Sequence, residues 1–208
     1  MQYIRYFLIP FALSLIFTPL VRLIAIKGGL ISIPRVDRWH KNPTALLGGV
    51  GIYASLLITI LFLNIRDKNI LGLFIGATVL FCLGLADDKF HFTPYVKLFA
   101  QIFAGCIAIF FGATIGLPPG IYFFSIPLTL LWIVGVTNSF NLLDNIDGLA
   151  AGIAVISSLT LFFSSLILSY NPLGIYGLIL SGAALGFLPY NFNPAKIFMG
   201  DSGSMFLG

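Results

Sequence analysis

The residues able to do chemistry in this 208-residue chain are few and nearly all aspartate. Only 9% of the residues are charged, seven are acidic, and glutamate is absent. Two aspartates, Asp87 and Asp88, are adjacent at the end of the apolar run FCLGLADDKFHF. A second group lies in NSFNLLDNIDG, where Asn141, Asp144 and Asp147 step by three. On a helix, positions three and four apart are neighbours, so these would share a face, with Asn138 extending it. A third lies in YNFNPAKIFMGDSGS, with Asn191 and Asp201, and a fourth in HKNPTALLGG, with His40 and Thr44. Carboxylates gathered near a membrane need a counter-charge, because unpaired buried charge is costly and like charges drive protonation. Oxygen ligands without clustered His or Cys suit magnesium, or manganese in its place, and magnesium shares its shell with substrate phosphates. The chemistry such a set could support is phosphoryl-type transfer on a diphosphate-bearing substrate. Lys97, one turn into an apolar segment, either snorkels to the interface or faces the acids.

The elements that must position these residues are membrane helices. The chain is 59% hydrophobic, and a soluble domain of this size carries about 25% charged residues. The expected fold is all-α, a polytopic transmembrane bundle of about seven complete spans, roughly 3–26, 48–65, 70–86, 95–113, 121–140, 149–169 and 174–192, with an eighth starting near Met205. The first apolar stretch is too long for a signal peptide. Cys82 and Cys106 lie inside apolar runs and suggest neither a zinc site nor a disulfide.

The connections alternate sides. The odd ones, 27–47, 87–94, 141–148 and 193–204, hold every aspartate except Asp67, so the acids can converge on one face. They also hold Lys27, Arg35, Arg38, Lys41, Lys89 and Lys196, while Arg5, Arg66 and Lys68 fall on the other side. Positive charge accumulates in the cytoplasm. That rule puts the acidic cluster there and the N-terminus outside, in an inner (plasma) membrane protein. Asp37 and Asp67 are read as solvated loop residues, and Asp201 taken alone would pass for a turn residue. A cation transporter is disfavoured because such proteins place polar groups near the bilayer midplane. A prenyltransferase of the Asp-x-x-x-Asp type is disfavoured because Phe92 stands four residues after Asp88.

The pieces HKNPTALLGG, LADDKFHFTPYVKLFAQ, VTNSFNLLDNIDGLAAG and YNFNPAKIFMGDSGSMFLG, taken together, resemble the polyprenyl-phosphate N-acetylhexosamine-1-phosphate transferases, the glycosyltransferase family 4 group. The resemblance implies a single membrane domain over residues 1–208, incomplete at its C-terminal end, since the family continues with further spans and a histidine-rich loop. It implies that undecaprenyl phosphate attacks a UDP-N-acetylhexosamine, with UMP leaving. Attack is either direct or through a covalent aspartyl intermediate. It further implies catalytic roles for Asp87, Asp88 and Asp144, metal binding at Asp201 and Asn141, and substrate contacts at Lys97, Asp147, Asn191, His40 and Thr44. The partners implied are the lipid phosphate, the nucleotide sugar, the bilayer and, as an assembly the family allows, a second copy; nucleic acid is not among them. NLLDNIDG lies nearer the UDP-N-acetylglucosamine-using members than the phospho-N-acetylmuramoyl-pentapeptide transferases, which stand as the alternative.

Overall fold

A computed structural model describes residues 2–32, 43–64, 68–168 and 171–208. Eight α-helices account for most of them: α1 Gln2–Lys27, α2 Gly48–Phe62, α3 Lys68–Phe90, α4 Pro94–Phe110, α5 Ser125–Leu143, α6 Leu149–Ile167, α7 Asn171–Asn191 and α8 Gly200–Leu207. A 3-10 turn, Pro119–Phe124, leads into α5. Apolar composition drives this outcome, because backbone N–H and C=O groups in lipid must be satisfied within the segment. Proline sets boundaries where it can. Pro94 opens α4 after an extended Thr93, where its missing N–H has no intrahelical partner to lose.

The all-α expectation holds apart from one small pairing. β1, Ile31–Ser32, runs antiparallel to β2, Thr44–Ala45, and Ala45 bridges in parallel to Ile197. Among the described residues, five helical stretches are long and apolar enough to cross a membrane: Tyr3–Lys27, Ile70–Phe90, Pro119–Leu143, Leu149–Ile167 and Leu173–Asn191. α2 and α4 are apolar but have 15 and 17 residues. At 1.5 Å per residue they reach about 22 and 25 Å, short of a hydrocarbon core of about 30 Å. Large apolar side chains such as Phe99, Leu131, Trp132, Ile156 and Ile167 face outward, as a lipid solvent allows.

Several expected boundaries move, two of them at the site. α3 continues to Phe90, so Asp87 and Asp88 occupy its last turns and not a connection. α5 runs past its expected end at residue 140 to Leu143, with Asp144 as its C-cap, so the stripe of Asn138, Asn141 and Asp144 is helical but ends before Asp147, which lies in the following turn.

The helices form two groups. α7 packs on α1, α6 and α2, around the fully buried Phe187, Ile52 and Ile179. α3 packs on α4, and α4 on α5, while α5 and α6 touch little despite being consecutive. α8 sits between the groups against α2, α3 and α5. Tyr53 of α2 stacks on Phe81 of α3 at 4.0 Å and meets the edge of Phe206 of α8 at 5.2 Å. The amides of Gly48 and Gly49, at the start of α2, donate to the carbonyls of Phe198 and Met199, 2.9 and 2.8 Å away, just ahead of α8.

α3 and α8 approach backbone to backbone at Gly84, where a β-carbon would stand 2.3 Å from the Asp201 carbonyl oxygen. No side chain fits without separating the helices. Gly84→Val is expected to destabilise the protein by about 1–3 kcal/mol, read as a lowered unfolding temperature in detergent.

Candidate functional site

The turn that enters α8 carries the centre of the site. Gly200 has φ +76° and opens the helix, and the Asp201 carboxylate projects into a ring of polar partners from three other helices. A β-carbon at Gly200 would meet both oxygens of the Asp88 carboxylate at 2.8 Å. Position 200 therefore needs glycine for its backbone conformation and for its space.

Asp87 and Asp88 divide the work of the acidic pair. Successive helical residues point about 100° apart, so the two carboxylates face different neighbours. Asp88, 8% exposed, turns to α8 and accepts the amides of Asp201 at 2.8 Å and Ser202 at 3.2 Å. It thus does for α8 what an N-cap side chain does, satisfying amides that have no partner within the helix. Its negative charge also complements the helix dipole. Asp87, 3% exposed, turns to Lys97 at 2.6 Å and accepts the Phe92 amide at 2.5 Å. Lys97 bridges onward to Asp201 Oδ2. The other oxygen of Asp201 accepts from Asn141 Nδ2 at 2.6 Å, and the same amide nitrogen donates to Ser204 Oγ at 3.0 Å.

Asp144 completes the cluster from the end of α5. Desolvation raises its carboxyl well above the ordinary value of 3.8, and the negative charges of Asp201 and Asp88 push the same way, against a bond from the Gly200 backbone. The site therefore sets Asp87 and Asp201 on the ammonium of Lys97, with Asp88 on the α8 amides and Asp144 within the electrostatic reach of Asp201 and Asp88. Among the described residues, no three His, Cys, Asp or Glu side chains are disposed to hold one ion by themselves.

Of the residues expected at the site, the structure brings together Asp87, Asp88, Lys97, Asn141, Asp144 and Asp201. Asp147 and Asn191 stand to one side, tying two loops. Asp147 Oδ2 accepts the Ala195 amide at 3.0 Å and Asn193 Nδ2 at 3.4 Å. Asn191, 2% exposed, accepts the Gly148 amide at 3.1 Å and donates to the Ile197 carbonyl at 3.1 Å. Thr44 is buried in the β1–β2 pair, and His40 lies outside the described residues. Three contributors have no assigned role in the sequence reading. Ser204 supports Asn141, Arg22 Nε donates to the Lys196 carbonyl at 2.9 Å, and Gln101 pairs with Asn138. The signal for Gln101 is a lone amide in the apolar α4, since polar residues inside such helices face partners rather than lipid.

A bundle of long apolar helices with a carboxylate cluster at one end defines an integral membrane protein. The sequence pattern described as Glycosyl transferase family 4 matches residues 70–208, and the chain belongs to that family. It is 35% identical to a probable undecaprenyl-phosphate N-acetylglucosaminyl 1-phosphate transferase of Bacillus subtilis, over 97% of this chain and 59% of the relative. It is 32% identical to a decaprenyl-phosphate N-acetylglucosaminephosphotransferase of Mycolicibacterium smegmatis, over 90% of this chain and 53% of that one. It is 31% identical to a phospho-N-acetylmuramoyl-pentapeptide-transferase of Latilactobacillus sakei, over 100% of this chain and 73% of the relative. The chain thus spans little more than half the length of the first two.

The raised Asp144 carboxyl has a pH consequence. The folded state holds this proton more tightly than the unfolded chain, so stability falls as pH rises from about 3.8 through the raised folded value, then levels off. Asp144→Asn removes that loss. In the presence of a chelator, the variant is expected to unfold at a higher temperature than the parent at neutral pH and to show a flatter stability–pH profile.

Proposed function

We propose that the chain carries the reaction centre of an enzyme that transfers N-acetylhexosamine 1-phosphate, from UDP-N-acetylglucosamine in the leading reading, to undecaprenyl phosphate. UMP is released, and the product starts a cell-wall or surface polymer. One observation carries the reading: Asp87 of α3, Lys97 of α4, Asn141 and Asp144 of α5 and its C-cap, and Asp201 of α8 meet at the first turn of α8 at one end of an apolar bundle. Relatives of this chain are named for this transfer.

An oxygen of the lipid phosphate attacks the β-phosphorus of the nucleotide sugar. The bond from that phosphorus to the UMP oxygen breaks, and UMP leaves with the electron pair. Lys97 offers the ammonium that faces the phosphates, and its present partners Asp87 and Asp201 hold it at the cluster. Asp87 is the carboxylate of the adjacent pair that faces Lys97, and it is placed to accept a proton from the lipid phosphate. Asp88 acts through α8, whose first amides it holds. Asp144, at the C-cap of α5, adds a further carboxyl to the cluster that faces the phosphates. In this reading Asp147, Asn191, Thr44 and His40 serve the substrate side of the loops.

Magnesium, or manganese, fits the donor set. Asp201 supplies carboxylate oxygen, and Asn141 spends its Nδ2 on Asp201 and Ser204, which leaves its Oδ1 as a donor. So sparse a protein set suits an ion that completes its shell with water and substrate phosphate. Bound there, it would neutralise charge developing on the transferring phosphates. A second reading, transfer of phospho-N-acetylmuramoyl-pentapeptide, is favoured by the Latilactobacillus sakei relative, which matches the whole chain and 73% of its own length.

In membranes supplied with undecaprenyl phosphate, Asp201→Asn is expected to lower magnesium-dependent UMP release from UDP-N-acetylglucosamine by about 100-fold or more. Parent-like release would remove Asp201 from the centre. Release only from UDP-N-acetylmuramoyl-pentapeptide would select the second reading. The site is assigned to the cytoplasmic face. Cysteines placed at the exposed Asn145 and Asn193 are expected to react with an impermeant thiol reagent in inside-out vesicles and not in intact cells; the reverse pattern overturns this sidedness.

A further inference from the structure

Gln101 lies in the middle of α4, 1% exposed, in a helix otherwise nearly all apolar at that depth. Its side-chain amide and that of Asn138 on α5 bond reciprocally. Gln101 Nε2 donates to Asn138 Oδ1 at 3.3 Å, and Asn138 Nδ2 donates to Gln101 Oε1 at 2.8 Å. Asn138 Nδ2 also reaches the Val134 carbonyl at 2.9 Å. Close by, α4 and α5 meet through Gly105 packed against Leu130 and Ile133. Apolar packing of this kind tolerates sliding, whereas a reciprocal amide pair, buried at Gln101 and exposed at Asn138, fits in one register only. Fixing register is the best-attested use of a buried polar group.

The register matters because of what lies one turn away. Lys97 precedes Gln101 by four residues on α4, and Asn141 follows Asn138 by three on α5, so each shares a helix face with its amide. Lys97 and Asn141 are the side chains that hold the two oxygens of Asp201. The contacts therefore close a triangle: α4 to α5 through the amide pair, α4 to α8 through Lys97, and α5 to α8 through Asn141.

We propose that Gln101 and Asn138 are positioning residues whose reciprocal amide pair sets α4 against α5 so that Lys97 and Asn141 converge on Asp201. What the converged cluster does rests on the proposed transfer; the convergence itself is tested separately. Two readouts are taken on the full-length protein in membrane vesicles: the rate at which an amine-reactive ester acylates Lys97, followed by mass spectrometry, and UMP release from UDP-N-acetylglucosamine.

Gln101→Met and Asn138→Leu keep shape and remove the pair. Each is expected to speed Lys97 acylation by about threefold or more, the factor corresponding to one net hydrogen bond. Each is also expected to lower the transfer rate by about tenfold or more, with the KM for the nucleotide sugar little changed. The double variant Gln101→Met with Asn138→Leu leaves no amide unpaired. It is expected to regain the parent's unfolding temperature while Lys97 stays fast-reacting. The exchange of Gln101→Asn with Asn138→Gln rebuilds the pair and is expected to restore slow acylation and transfer together. Parent-like acylation in the single variants overturns the proposal. So does a double apolar variant that recovers slow acylation along with its stability, or an exchange as reactive as the singles. If the unsubstituted protein releases no UMP from any UDP-sugar, the function reading fails, and the acylation rates alone decide the positioning role.

Discussion

The ammonium of Lys97, held between Asp87 and Asp201, is the contact on which the geometry of the site turns. It joins the end of α3, the start of α4 and the start of α8 in a chain where charge is sparse. Four carboxylates in such surroundings repel one another and resist leaving water. The cluster tolerates them because each has a different answer to its charge. Asp87 and Asp201 share the ammonium, Asp88 spends its charge on helix amides, and Asp144 is held toward its neutral form. A divalent ion among substrate phosphates would find a cluster already balanced by these devices, and would compete with Lys97 for Asp201.

Packing brings the charges together as much as attraction does. α8 opens at Gly200, and its first turn carries Asp201. It persists because Asp88 satisfies its first amides, α3 meets its backbone at Gly84, and Tyr53 and Phe81 enclose Phe206. The loop before it is pinned in turn by Asn191 and Asp147 and by the amides of Gly48 and Gly49. The same short segment therefore joins the two groups of helices and presents the central carboxylate.

Much of this was legible in the sequence, because charged residues are so rare that their positions carry information. Alternation of spans put Asp87, Asp88, Asp144 and Asp201 together, Asp37 and Asp67 lying outside the described residues, and spacing put Asn138, Asn141 and Asp144 on one helical face. The helix ends were not legible. In a run apolar on every side there is no amphipathic period to mark a boundary, so α3 passes through Asp87 and Asp88 where a connection was expected. For the same reason α5 ends earlier than the three-residue stepping implies, which carries Asp147 away to the loop of Asn193 and Ala195. The different orientations of Asp87 and Asp88 follow from helical geometry, but only once that helix is known to continue. The two-residue strands are too short to show alternation. The pairing of Gln101 with a residue 37 positions away has no local signature at all.

The way α8 is seated also bears on how this part of the protein can change over generations. Where it crosses α3 most closely the contact is made by backbone atoms, with Gly84 lying against Asp201 and Ser202. Side chains can be exchanged by mutation, but a main chain wedged against its neighbour can be altered only by moving a helix. A small molecule that drew its affinity from the entry turn of α8 would face a surface with little room for escape by substitution. Resistance to it would more readily arise in the surrounding loops, where side chains such as that of Asn145 stand exposed.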